Sequence, residues 1–185
     1  QMEALTSDQV ASLATAQLAA LSSKQVSAIE TEDLIELSSA QLRAISNSAI
    51  TGLTTEQVAS LETDQVAALT VLQLKALTTN QMSALTSDQV QSLSTLQIAA
   101  FSSAQLGAMD AEDIAALSSA QVKAMNNTAM VGLTTEQIAG MGTEQISALT
   151  SAQIKSLSTA QIGALTTEQA ASLTSAQAAS LTATQ

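Results

Sequence analysis

An eight-residue period runs through this chain without a slip, and it restricts the fold more than any other feature. Laid over Leu53-Thr54-Thr55-Glu56-Gln57-Val58-Ala59-Ser60, residues 5–180 divide into whole octads that read approximately Leu-Thr/Ser-x-x-Gln-Val/Ile/Leu-x-Ala/Ser. Position one departs from Leu only at Ile29, Ile45, Phe101, Met109, Met125 and Met141, and position eight is nearly always Ala, Ser or Gly. A uniform short period with no unique segment is the mark of a repeat array, in which each unit buries its apolar face on its neighbours.

Within one octad, three local signals agree on a helix start. Thr or Ser at position two, followed three residues later by Gln, has the capping-box spacing: the hydroxyl accepts from the backbone N–H at Gln, and the Gln side chain reaches back to the N-cap N–H. The apolar residues at positions one and six flank that start as a hydrophobic staple. Leu53 with Val58 and Thr54 with Gln57 show the pattern in full, as do Leu133 with Ile138 and Thr134 with Gln137. Ala14, Glu30 and Glu62 are weak caps, and Ala49 and Ala129 stand in place of the Gln.

The alternatives fit less well. On one continuous helix, octads would advance the apolar stripe by roughly 80° per repeat, so it would spiral beyond the reach of any single partner. A β-helix is disfavoured because positions one, six and eight do not alternate and turn residues are sparse. The expected fold is therefore all-α: a solenoid or superhelix of very short helices, one capped helix per octad. Burial of two apolar side chains does not offset the ordering of eight residues, so stacking must supply the balance. The distinctive octads at Ile29 and Ile45 are 16 residues apart, and Arg43 and Lys75 are 32 apart, which suggests two helices per coil.

A longer period overlies the first. Ile29-Glu30-Thr31-Glu32-Asp33 recurs as Met109-Asp110-Ala111-Glu112-Asp113, and Ile45–Gly52 recurs as Met125–Gly132, both 80 residues on. Residues 1–185 thus read as one continuous array with super-repeats 5–84 and 85–164 and a partial third at 165–185. Gln1-Met2-Glu3-Ala4 and Leu181–Gln185 fall inside octads, so the chain is expected to be a window of a longer array.

Composition narrows function mainly by exclusion. The net charge of −11 and the five basic residues argue against nucleic acid and anionic membrane surfaces. No apolar run is long enough to insert in a membrane. Cys and His are absent, and no phosphate loop or activated nucleophile stands out, so neither an enzyme nor a cofactor is expected. The acidic groups Glu30, Glu32, Asp33, Glu36 and Asp110, Glu112, Asp113 invite a calcium reading, with Glu32, Asp33, Glu112 and Asp113 as the candidate ligands. Neither cluster has the Gly turn and spaced ligands of a dedicated calcium loop, and both better suit helix first turns, where the dipole favours carboxylates, with Asp33 and Asp113 replacing Gln.

Three further features bear on partners. The octads at Ile45 and Met125 lose Gln and gain Gly, which points to a structural irregularity; the second contains the sequon Asn126-Asn127-Thr128. Val71-Leu72 and Leu96 place apolar residues at positions three and four, a candidate self-association patch. Hydroxyls at position two are committed to caps, which weakens any reading as a free hydroxyl ladder.

Over its whole length, in runs such as Leu133-Thr134-Thr135-Glu136-Gln137-Ile138-Ala139, the chain resembles the tandem repeats of large bacterial secreted or cell-surface, adhesin-like proteins. That resemblance implies an extracellular or cell-surface location and a structural or adhesive role; the uninterrupted octad register with open ends points to a stalk, spacer or filament that assembles laterally or end to end. An adhesive module that uses the irregular octads to hold a ligand, calcium or a carbohydrate surface is the alternative it leaves open.

Overall fold

The computed structural model describes residues 6–185; the opening Gln1–Ala4 stub lies outside the described residues. Every whole octad forms a helix of four to six residues, and no strand occurs among the described residues. The helix Thr55–Ser60 shows how one unit is built. Thr54 is extended (φ −72°, ψ 162°), its side chain accepts from the Gln57 N–H, and the helix ends where Leu61 turns extended (φ −57°, ψ 139°). Two extended residues, positions one and two, then link it to the next helix. The expected helix start is therefore observed where the capping residues place it.

The weak caps behave as weak caps. Ala14, Glu30 and Glu62 provide no side-chain bond to their helices. Half of the box persists at two of them, because Oε1 of Gln17 and Gln65 still accepts from the N–H of Ala14 and Glu62, at 2.8 and 2.9 Å. Gly142 is likewise served only by Gln145, at 2.8 Å.

The chain divides into two compact units, up to Leu93 and from Ser94. In the first, helices stack in three columns: Ser7–Ala11, Thr31–Ile35, Thr55–Ser60 and Thr79–Met82; then Thr15–Ala19, Ser39–Ala44, Thr63–Ala68 and Ser87–Ser92; then Ser23–Val26, Asn47–Ile50 and Val71–Ala76. In the second, the columns are Thr95–Ile98, Ser119–Ala124, Thr143–Ala148 and Thr167–Ala171; then Ser103–Ala108, Asn127–Met130, Ser151–Ser156 and Ser175–Ser180; then Ala111–Ala116, Thr135–Gly140 and Thr159–Gly163.

Within each unit, helices thus pack on those three octads away, which corrects the expectation of two helices per coil. The 16-residue spacing of the distinctive octads is therefore not the period of the coil. The coil is set instead by the direction change at each pair of extended residues, and any whole number of octads can be added to it. Inside each unit, positions one and six form the core: Leu53, Val58, Leu61 and Val66 are at most 4% exposed, as are Leu133, Ile138, Met141 and Ile146.

Candidate functional site

The recurring polar site lies at position five. In most octads of the interior coils, such as those of Gln57, Gln73, Gln137 and Gln153, the Gln is buried beside the core. Both ends of its amide are engaged. Oε1 of Gln57 accepts from the Thr54 N–H at 2.8 Å, while Nε2 donates to the carbonyls of Ile29 at 2.6 Å and Val26 at 3.2 Å. Those carbonyls lie 28 and 31 residues earlier, at the turn of the preceding coil. Gln73 repeats this with Leu42 and Ile45, and Gln81 with Ile50 and Leu53. In the second unit Gln137, Gln153, Gln161 and Gln169 do the same.

One side chain therefore closes its own helix and ties it to the coil beneath. Helix ends leave carbonyls without partners, and in a solenoid of one- to two-turn helices such ends recur every eight residues. A primary amide is suited to the place because it carries an acceptor and two donors. Sequence reasoning gave Gln57 and Gln137 the capping half of this role and missed the coil-to-coil half. The available signal was the residue's persistence: a cap alone tolerates Glu, yet Gln holds position five almost throughout.

The exceptions show what the amide does. Asp33 stands in the Gln place, is 3% exposed, and accepts at Oδ1 from the Ser7 hydroxyl at 2.5 Å, while its buried Oδ2 meets no hydrogen-bond donor. Asp113 is similarly buried, at 4% exposure. Their neighbours Glu32 and Glu112 are exposed, so each candidate calcium pair divides between the interior and the solvent. Among the described residues no three acidic, His or Cys side chains gather as a metal site.

At Ala49 and Ala129 there is no amide to span the gap between coils, and the backbones close up instead. A Cβ on Gly52 would lie 2.0 Å from the Ser23 carbonyl oxygen, and one on Gly132 would lie 2.0 Å from that of Ser103. The irregularity expected here is a close approach that only glycine permits. Asn126 serves as an N-cap within it, its Oδ1 accepting from the Thr128 N–H and hydroxyl at 2.9 and 2.8 Å.

On the outside, Leu72 is 63% and Val71 38% exposed in the first unit, and Leu96 is 77% exposed in the second, as their positions in the octad imply. A groove in the second unit, open to solvent, collects the carboxylates Asp110, Glu112 and Glu136 over Gly107, Ala108 and Ala111. No helix among the described residues is long and apolar enough to cross a membrane.

Comparison with known families finds one model, described as the ALTTAQ repeat, which matches residues 26–63, 58–95, 95–127, 114–151, 127–159, 139–175 and 151–184. No curated protein matches.

Proposed function

The chain belongs to the ALTTAQ repeat family, and from that premise we propose that it is a non-enzymatic structural segment: a spacer or stalk of a bacterial secreted or cell-surface protein, able to enter larger assemblies. The observation that carries this reading is the amide of position five. Its paired bonds to carbonyls 28 and 31 residues earlier recur in both units, so each added coil is held by the same contacts as the last. Such a design extends by addition and needs no unique centre.

The apolar and hydroxyl-bearing side chains that build the repeat are absorbed by core and caps, leaving positions three, four and seven to vary on the outside. A spacer needs no more chemistry than that, and a surface partner would read those positions.

Chains of ten, twenty and thirty octads, imaged by negative stain or measured by solution scattering, are expected to grow in maximum dimension in proportion to octad number. Particles that thicken into compact globules as octads are added would overturn the proposal.

A further inference from the structure

One edge of the second unit carries charges in an order that complements itself when reversed. Ser103–Ala108, Asn127–Met130 and Ser151–Ser156 stack in successive coils, so Gly107, Val131 and Lys155, all at position seven, follow one another along that edge. The contact is direct at its base, where a Cβ on Gly107 would lie 2.4 Å from the Gly132 carbonyl oxygen. The acidic groove shares this edge: Asp110 and Glu112 belong to the coil of Gly107, and Glu136 to the coil of Val131. Residues 149–164, one coil further, contain Lys155 and no carboxylate. Val131 is 55% exposed, and Lys155 is exposed with no ion pair to its own chain among the described residues.

We propose that this edge docks a second copy of the chain, running antiparallel, with Val131 facing Val131 on a two-fold axis and each Lys155 entering the other copy's groove between Asp110, Glu112 and Glu136. Packed helices sit about 8–10 Å apart. The Lys155 one coil above Val131 in one copy therefore comes level with Asp110 and Glu112, one coil below Val131 in the other. The methylene stem of the lysine crosses the small residues Gly107, Ala108 and Ala111 while its ammonium meets carboxylates. The contact is isologous, each half being made twice. Eighty residues earlier the same polarity recurs in Glu30, Glu32, Glu56 and Lys75, with Thr51 where Val131 stands, so that edge lacks the apolar centre. The proposal deepens the structural-segment reading, on which it rests, by naming the chain's partner.

The full chain contains no Cys, so Val131→Cys introduces a single thiol at the predicted axis. With oxidised glutathione as oxidant, Val131→Cys is expected to form a covalent dimer about tenfold faster than Ala139→Cys, also an exposed position but in another column of helices. Adding Lys155→Glu should reduce that rate to the control, and adding Glu112→Lys to that pair should restore part of it. Both charge changes are at exposed positions, and circular dichroism verifies that the helices persist. Equal rates for the two cysteine positions, or a Val131→Cys rate indifferent to Lys155→Glu, would overturn the docking edge. Either result leaves the spacer reading standing if chain dimensions still grow with octad number.

Discussion

The side chain of Gln57 donates to the carbonyl of Ile29, 28 residues earlier, at 2.6 Å, while accepting from the N–H of Thr54 three residues earlier at 2.8 Å. Local and long-range structure meet in one amide. Gln57→Ala removes both, leaving the Ile29 carbonyl without this donor and a helix without half its cap, and is expected to lower stability by about 2–4 kcal/mol. Gln9 is exposed, and among the described residues its side chain bonds only the N–H of its own N-cap, Thr6, so Gln9→Ala is expected to cost about 1 kcal/mol or less. Urea unfolding of the two variants measures the difference, and equal losses would show that the coil-to-coil bonds contribute nothing.

Two glycines predict opposite signs for the same substitution. A Cβ at position 132 collides with the Ser103 carbonyl, whereas at Gly163 it meets nothing within 4 Å. Gly132→Ala should destabilise by about 1–3 kcal/mol through forced separation of two coils. Gly163→Ala, at the end of the helix Thr159–Gly163, should stabilise by up to about 1 kcal/mol. Thermal melts of both variants test the pair together.

The caps offer a gain and a loss of similar size. Ala14 already has the extended backbone of an N-cap (φ −69°, ψ 149°) but no side-chain acceptor. Ala14→Ser is expected to add about 1 kcal/mol, and Thr54→Ala to remove about as much. Hydrogen exchange at the amides of Gln17 and Gln57 should slow in the first variant and quicken in the second.

Asp33 presents a buried oxygen with no donor. Asp33→Asn replaces a carboxylate with a neutral amide that retains an acceptor for Ser7, and is expected to raise stability by about 1–3 kcal/mol. Calcium titration of the same protein separates this from ion binding. A melting temperature that rises with millimolar calcium in the natural sequence, and no longer does so in Asp33→Asn, would assign the carboxylate to an ion.

Much of the architecture was legible because its causes lie within one octad. Thr54 and Gln57 are three residues apart and Leu53 and Val58 five, so helix start, helix length and core membership follow from short-range chemistry that repeats. The glycines at 52 and 132 were recognisable as irregular, since each accompanies a lost Gln. What they accomplish was not, because Ser23 and Ser103 lie 29 residues before them, on a coil whose size the octad does not specify. The same holds for the carboxylates. Sequence placed Glu32 beside Asp33, whereas successive positions on a short helix point apart, and the fold buries one and exposes the other.

By itself, then, the sequence determined that this protein is a chain of capped helices, one per octad, with positions one and six inward. Capping and stapling are interactions between neighbours in the chain, and they do not depend on what packs above or below. Only the tertiary structure decided that three octads complete a coil, that Gln57 reaches Ile29, and that Val131 and Lys155 align on one edge with an acidic groove. Those relationships depend on the angle between successive helices, set by two extended residues and the packing of the core around them. No period in the sequence records that angle.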